Sequence, residues 1–442
     1  MSTVPQEDSD FEKKDTESSP SMGEPDSGTA TPPRPTFPEG GLSAWSTAFG
    51  AFLIQFCAFG YTTSFGVYQD YYVRVHLTNE SASAISWIGS VNGFLVVGAS
   101  LLAGRIHDRG YFYRLLWGGS FLTSFSLFML SLTKPNHYYQ VLLSQGFGAG
   151  IGMGMLYVPS MAVLSHYFQR RRSVVMMLVT SGASLGAVVH PLMLNNTLEK
   201  IGFPNATRAN AGLITGFLLT SCLVMRTRLP PPTTTLDLKK ALVKFSKDKA
   251  YICCGFGLLF FLAGVYFPIF YLQLDSIKHG LNPNFAFYSL VILNGSSLFG
   301  RLASGFLAAI FEIGNLVIIA TASCGILIFS MISLSSVVSV VLIAIFYGFF
   351  SGIFVALMGP MVANLADDVS EIGLRMGVGF TLAGLGGLIG TPIGGALLTT
   401  QYHWWRAAVF SGVMALAGCG MYTAMAIFLR QKRRSKERAS TL

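Results

Sequence analysis

Apolar residues along this chain fall into long runs, and the polar residues collect between the runs. We place twelve runs at roughly 45–68, 84–104, 113–132, 138–164, 173–196, 209–226, 250–272, 285–307, 313–332, 336–358, 373–398 and 405–429. A helix needs about 20 apolar residues to cross a bilayer. Most of the runs reach that length, so the pattern predicts an all-α membrane protein with twelve transmembrane helices.

A polar segment at about 227–249 separates the runs into six and six. Pro230, Pro231 and Pro232 open the segment and cannot be helical, whereas the basic stretch after them contains interleaved apolar residues. That stretch fits a short interfacial amphipathic helix, and it fits a plain solvated linker equally well. We predict two six-helix bundles, at 44–226 and 250–429, joined by a cytoplasmic linker at 227–249.

The two ends of the chain are polar. Residues 1–43 are rich in Ser, Pro, Thr, Asp and Glu, and they lack the apolar residues that would offset the entropy of ordering. Residues 430–442 are strongly basic. We therefore predict a disordered cytoplasmic tail over 1–43 and a basic cytoplasmic tail over 430–442.

The composition supports this interpretation and excludes several classes of protein. Of the 442 residues, 52% are hydrophobic and 12% are charged, and the mean hydropathy is +0.54. Soluble proteins have about 25% charged residues and avoid large exposed apolar patches. A soluble enzyme and a nucleic-acid-binding protein are therefore excluded, and the lipid bilayer is the expected surrounding. The six cysteines lie within apolar runs and no His/Cys set has metal-ligand spacing, so we expect no metal and no cofactor.

The basic residues are distributed unevenly between the two sides that twelve spans create. With the N-terminus in the cytoplasm, most of the 30 Lys and Arg residues fall in cytoplasmic segments, as the positive-inside rule requires. We therefore expect both termini in the cytoplasm and the plasma membrane as the location. The sequons at Asn79 and Asn205 fall in predicted external loops, where both asparagines are candidate glycosylation sites.

A short polar motif follows the second span, with Gly104, Asp108 and Arg109 at its key positions. A small residue lets helices approach closely, and an acid and a base at a helix end can bind a neighbouring helix. The motif resembles the Gly-x-x-x-Asp-Arg-x-Gly loop of the major facilitator superfamily, which implies a conformational latch. The second half has Ala309 and Ile310 at the matching place, so we expect the latch in one half only. An ordinary positive-inside loop is the alternative.

The fourth span contains five alternate glycines between Gly146 and Gly154. In a helix these glycines cover both faces, so they permit close contact with more than one neighbour or a bend beside a cavity. We favour packing. Leu142 stands where the superfamily's proton antiporters have an arginine, which argues against a drug/proton antiporter.

Two further motifs carry a closer resemblance. Residues 39–45 open the first span with an acid, two glycines and a tryptophan, and residues 167–172 precede the fifth span as Tyr-Phe-Gln-Arg-Arg-Arg. They are similar to the two signatures of the monocarboxylate-porter family, and the stretches 267–273, 294–301, 371–377 and 390–395 resemble its fungal, riboflavin-transporter-like branch. The resemblance spans residues 37–430. It implies the major facilitator fold, a substrate site between the two bundles and alternating access.

Polar residues at membrane depth are costly, so each is a candidate functional group. The resemblance gives Arg301, in the eighth span, the role of counter-charge to a substrate carboxylate; snorkelling to the interface is the alternative. His190, in the fifth span, is either a substrate or proton site or a structural histidine bonded to a neighbouring helix. The other candidate substrate-binding residues are Gln55, Asn92, Tyr157, Tyr266 and Asn294.

The residues that proton coupling requires in this family are missing. Thr63 and Ser297 occupy the places where its proton-coupled members have a lysine and an acid, and no Asp or Glu lies deep in any predicted span. The missing residues argue against proton-coupled uptake. If protons are the coupling ion, His190 is the group that would carry them.

We predict a monomeric secondary transporter that moves a small organic solute, such as an organic acid or a vitamin-like metabolite, by alternating access. Efflux of a secondary metabolite and a non-transporting nutrient sensor are the alternatives. A membrane enzyme would need titratable residues clustered at one membrane face, and the sequence shows no such cluster.

Overall fold

The computed structural model describes residues 38–229, 238–366, 371–399 and 401–440, and every regular element in these ranges is a helix. The spans of the first half are α1 (Leu42–His76), α2 (Ala82–His107), α3 (Phe112–Leu130), α4 (Tyr138–His166), α5 (172–201) and α6 (203–224). The linker holds α7 (Leu238–Phe245). The spans of the second half are α8 (Lys249–Lys278), α9 (Pro283–Ile310), α10 (Ile313–Ser330), α11 (Val337–Ala363), α12 (Ile372–Leu398) and α13 (Trp404–Ser440). The twelve predicted spans are confirmed.

The main difference from the prediction is the turn between the fifth and sixth spans. The chain stays helical from Arg172 to Val224 except at Gly202, which has φ 75° and ψ 163°. Glycine adopts such a left-handed φ without strain, and Pro204 then begins the next helix, where the absence of an N–H is tolerated. The prediction of an external loop between residues 196 and 209 is therefore wrong. Its sequon asparagine, Asn205, is helical.

Several helices are longer than their apolar runs. Asp248 begins α8 by accepting a hydrogen bond from the Tyr251 N–H at 3.3 Å, which is a typical N-cap. At their other ends, α1 and α8 continue past residues 68 and 272, and each takes an aspartate into the helix. Asp70 is 2% exposed and Asp275 is 0% exposed. Both acids lie beyond the predicted apolar runs, so the expectation that no Asp or Glu lies deep in a predicted span stays a prediction.

The ends of the chain are also more ordered than expected within the described ranges. Residues 38–43 belong to the predicted disordered tail, but Leu42 already begins α1, and Glu39 is bound to the segment before α5. In the basic tail, α13 continues to Ser440. The linker contains the short helix that was one of its two predicted forms.

The alternate glycines of α4 pack against two different helices. A Cβ at Gly154 would lie 2.3 Å from the carbonyl oxygen of Leu95 in α2, and a Cβ at Gly152 would lie 2.9 Å from that of Gly119 in α3. Only glycine permits backbones to approach this closely. The packing interpretation of the glycine run is confirmed.

In the described residues, three pairs of helices make most of the contact between the two halves. We call the side where α1 begins and α13 ends the linker face, and the opposite side the distal face. On the distal face, α1 meets α8, and the Gln273 amide donates to Asp70 Oδ2 at 3.2 Å. On the linker face, α5 meets α9. The third pair, α2 and α12, touches near both faces, through Ser83 Oγ to the Pro392 carbonyl at 2.9 Å and through Thr381 Oγ1 to the Gly98 carbonyl at 3.0 Å. The space between the halves is therefore closed on both sides.

Candidate substrate-binding site

A cavity lies between the two halves, about midway along the helices. Its walls come from α1, α2 and α4 of the first half and from α8, α9, α11 and α12 of the second. The volume of the cavity is only about 50 Å³, which is room for a few water molecules. A larger solute therefore requires the halves to separate, as expected for an occluded state.

Six aromatic rings line the cavity. The rings of Phe59 and Tyr157 lie 5.8 Å apart, and those of Tyr266 and Phe270 lie 5.5 Å apart, which are ordinary distances for aromatic pairs. Phe94 and Phe354 complete the set. Hydroxyl groups are interspersed among the rings on Thr62, Thr63, Ser90, Ser297, Ser351 and Thr391. This wall suits a flat, largely apolar molecule that carries a few polar groups.

Arg301 is the only charged residue that lines the cavity in the described part of the chain. The residue is 5% exposed. Its Nη1 donates to the Thr180 carbonyl of α5 at 3.0 Å, and its Nε has no hydrogen-bond partner among the described residues. The phenols of Tyr157, from the first half, and Tyr266, from the second, lie within electrostatic range of the guanidinium. The site therefore presents an incompletely paired cation and two phenols in the same cavity.

Four of the predicted substrate-binding residues meet at this cavity: Arg301, Tyr157, Tyr266 and Asn294. The Asn294 amide donates to the Leu290 carbonyl of its own helix at 3.0 Å, and its side-chain oxygen is left to accept from a solute. These four residues come from three helices and both halves of the protein.

Gln55 and Asn92 lie behind the cavity wall. Gln55 donates to Ser160 Oγ at 3.2 Å and thereby joins α1 to α4. Asn92 accepts from Thr62 Oγ1 at 2.6 Å and donates to the Gln145 carbonyl at 2.9 Å. The structure therefore places both residues as links between helices of the first half, one layer away from a solute.

His190 also lies outside the cavity wall. It is 0% exposed, and its Nδ1 lies 2.7 Å from Asn210 Oδ1 of α6. Its Nε2 lies 3.3 Å from the Phe56 carbonyl of α1, and the Phe56 ring packs on the imidazole at 4.8 Å. Both ring nitrogens thus face oxygen atoms of neighbouring helices, which is the arrangement expected of a structural histidine.

The two monocarboxylate-porter-like motifs pack against each other on the linker face. The Glu39 carboxylate accepts hydrogen bonds from the backbone N–H groups of Gln169, Arg170 and Arg171, at 2.8, 2.6 and 3.1 Å. These bonds, that of Arg170 foremost, hold the pKa of the Glu39 carboxyl below its usual range. Trp45 packs edge-on against Phe168 with ring centres 5.5 Å apart. The acid of one motif therefore holds the backbone of the other motif directly before α5.

The latch motif is only partly described. A Cβ at Gly104 would lie 3.9 Å from Val158 of α4, and Arg109 is exposed at the end of the helix. The side chain of Asp108 lies outside the described residues. The latch therefore stays a prediction.

A buried charge cluster on the linker face was missed by sequence reasoning. Arg375, at the start of α12, is 0% exposed. Its guanidinium binds Asp248 at 3.0 Å and Glu371 at 3.3 Å, and it lies over the rings of Phe245 and Tyr251 at 4.6 and 5.0 Å. The available signal was the i,i+4 spacing of Glu371 and Arg375, which we read only as part of a family motif. The cluster holds α7, α8 and α12 together.

The two sequons differ in their surroundings. Asn79 is exposed in the turn between α1 and α2. Asn205 is exposed on a helix, where its amide donates to the Ile201 carbonyl at 3.2 Å. Within the described ranges, no group of three or more His, Cys, Asp or Glu side chains is placed to hold a metal ion.

Comparison with known proteins agrees with this architecture. The family model described as Major Facilitator Superfamily matches residues 42–346. The aspyridones efflux protein apdF of Emericella nidulans is 36% identical over 385 residues, which cover 86% of this chain and 77% of that protein. The fujikurins efflux protein of Gibberella fujikuroi is 35% identical over 399 residues, which cover 90% of this chain and 85% of that protein.

A solved structure of the peptide transporter POT in complex with sulfate superposes with a TM-score of 0.68. It is 14% identical and covers 89% of this chain and 96% of that chain, so the likeness concerns the fold alone. With the family match and the two efflux relatives, these findings show that the chain belongs to the Major Facilitator Superfamily and is a multi-pass membrane transporter rather than an enzyme.

Proposed function

We propose that the protein exports a planar, acidic secondary metabolite, which binds between the two halves and leaves by alternating access. The observation that carries the proposal is the cavity, where Arg301 is the single cation among the described lining residues and shares the wall with aromatic rings. The two efflux relatives support export over the uptake of a nutrient. Export was the alternative in the sequence analysis, and the relatives make it the preferred reading.

The acidic character of the substrate follows from the surroundings of Arg301. A buried charge is costly unless it is paired, and in the described part of the chain this guanidinium has one carbonyl partner and an unbonded Nε. An anionic group in the cavity would complete its hydrogen bonds, and bonds of this charged kind are the strong ones. No Asp or Glu lines the cavity in the described residues. The site therefore favours anions over cations.

We also propose that the linker face is cytoplasmic and that the protein lies in the plasma membrane. Exposed basic residues on that face, among them Arg170, Arg171, Lys240 and Lys247, support this orientation through the positive-inside rule. The 44–226 and 250–429 bundles with their 227–249 linker stay our division of the chain. Asn79 then faces outward as the better glycosylation site of the two. A gel-mobility shift that disappears in Asn79→Gln would support both the orientation and the modification.

Uptake of an organic acid is the second candidate. It is favoured by the packing of the two monocarboxylate-porter-like motifs against each other through Glu39. Export and uptake share the same site and differ in the side from which the solute is loaded.

Transport by reconstituted vesicles tests the proposal. The probes are 2-naphthoate and its neutral counterpart 2-naphthamide, which have nearly the same shape, and each is measured in both directions with and without a pH gradient. We expect transport of 2-naphthoate from the linker face to fall about tenfold or more in Arg301→Ala, because a hydrogen bond to a charged group contributes about 1.5–3 kcal/mol. Transport of 2-naphthamide should change little.

The matched control is Arg430→Ala, which removes an arginine that is half exposed and paired with Glu312 at the surface. It should leave both probes unaffected. Equal handling of the two probes by the wild type would overturn the acidic substrate. Loading of 2-naphthoate only from the distal face would replace export by uptake.

A further inference from the structure

Arg301 has two neighbours that compete for it: the cavity on one side and a carbonyl of the opposite half on the other. Its Nη1 bond to the Thr180 carbonyl, 3.0 Å long, crosses from α9 to α5. Among the described residues, this bond is the side-chain hydrogen bond that joins α9 to α5. The cation that faces the cavity is thus also part of the contact that closes the linker face.

The same contact is tight one turn further along both helices. A Cβ at Gly305 would lie only 1.9 Å from Met177 Sδ, so α9 reaches α5 because Gly305 has no side chain. Arg301 and Gly305 are four residues apart and share a face of α9. When the linker face opens, α9 leaves α5, and the Arg301–Thr180 bond must break with it.

We propose that closure of the linker face and the binding of an anionic substrate compete for the guanidinium of Arg301. This inference rests on the proposed function, since it takes the substrate to be an anion held by Arg301. With the linker face open, Arg301 is released from Thr180 and its donors are free for the substrate. With the face closed, the Thr180 carbonyl takes one of these donors and weakens the hold on the substrate.

Thermodynamic linkage makes the consequence reciprocal. If closure lowers the affinity for the anion by some factor, the anion disfavours closure by the same factor. The protein therefore binds its substrate more tightly while open to the linker face than after that face has closed. This difference helps to release the substrate on the distal face, although the net direction of transport still depends on gradients and coupling.

Cross-linking of the closed contact tests the inference directly. The variant Met177→Cys with Gly305→Cys places one thiol on each helix, and copper–phenanthroline with oxygen links them when the linker face is closed. We expect saturating 2-naphthoate to slow this cross-linking several-fold and 2-naphthamide to leave it unchanged. The cross-linked protein should bind 2-naphthoate more weakly by a similar factor.

The distal face supplies the control. Ser83→Cys with Gly395→Cys joins α2 to α12, where a Cβ at Gly395 would lie 2.9 Å from Ser83 Cα. This contact stays closed when the linker face opens, so 2-naphthoate should not slow its cross-linking.

Adding Arg301→Gln to the Met177/Gly305 pair should slow cross-linking without any probe and remove the response to 2-naphthoate. Arg301→Lys, which keeps the charge and provides a second variant, should retain part of that response. Unchanged or faster cross-linking with 2-naphthoate, while the same anion is still transported, would overturn the competition and leave the proposed function intact. Failure to distinguish 2-naphthoate from 2-naphthamide in transport would instead overturn the proposed function.

Discussion

Two arginines of the second half are almost equally buried and have opposite surroundings. Arg375 is paired with two carboxylates and packed against two aromatic rings. Within the described ranges, Arg301 has one backbone carbonyl as its partner, and its Nε has none. The first arginine fastens helices to one another, whereas the second keeps donors in reserve beside a cavity.

The difference shows that burial of a charge does not by itself identify a binding site. Burial makes the pairing of the charge decisive. Where the protein supplies all the partners, the charge is part of the scaffold; where it leaves donors unfilled, a solute can supply the missing acceptor. This distinction predicts that the stability of the protein changes in opposite directions when one or the other arginine is removed.

The largest expected effect is on the Arg375 cluster. Arg375→Ala leaves Asp248 and Glu371 with one cation fewer in a buried setting, and breaking such a pair typically costs about 3–5 kcal/mol. We expect a strongly lowered Tm in detergent and poor recovery of folded protein. The measurement is thermal unfolding followed by loss of monodisperse protein, with Arg430→Ala as the surface control. A Tm like that of the wild type would show that the cluster does not fasten these helices.

The next effect is the reverse for Arg301. Arg301→Met keeps the volume and removes a buried, incompletely paired charge, which is costly to keep away from water. We expect a Tm equal to or above that of the wild type, together with loss of 2-naphthoate binding. A Tm lowered as far as in Arg375→Ala would make Arg301 a second structural arginine.

The sequence predicted the spans because a bilayer demands long apolar helices, and each of the twelve runs became one. It predicted Arg301, Tyr157, Tyr266 and Asn294 as site residues, and the structure brings these four together. Each of the four has a polar group at membrane depth. Such a group is costly there, so a functional role is the usual explanation for it.

The same reasoning could not separate the cavity from the interior of a bundle. Gln55, Asn92 and His190 are equally polar and equally deep, but they face neighbouring helices. The face that each helix turns toward the other half depends on packing. The sequence of a membrane helix gives little information on that face, because nearly every position is apolar. Arg375 was missed for a related reason, since only Glu371 is near it in sequence and its other partners, Asp248, Phe245 and Tyr251, come from a distant segment.

A moderate effect is expected from the two tyrosines beside Arg301. Tyr157→Phe and Tyr266→Phe each remove one hydroxyl near the guanidinium and keep the ring. If both hydroxyls help to hold the anion, each change should weaken 2-naphthoate binding several-fold, because a net hydrogen bond contributes about 0.5–1.5 kcal/mol. Isothermal titration with 2-naphthoate and 2-naphthamide measures the difference. Tyr113→Phe, whose hydroxyl accepts from the Thr227 N–H at the surface, is the matched control, and an equal loss there would remove the special role of the pair.

The smallest expected effect is at the rim of the Arg375 cluster. Lys432 reaches Asp248 at 3.6 Å from α13, and its side chain is 37% exposed. Water screens such a pair, and exposed ion pairs contribute about 0–1 kcal/mol. Lys432→Met should therefore change the Tm by no more than a small fraction of the loss in Arg375→Ala, and the double variant should resemble Arg375→Ala. A large drop in Tm from Lys432→Met alone would mean that the stability of the cluster depends on its total positive charge. The direct partners of Arg375 would then not explain the role of Arg375.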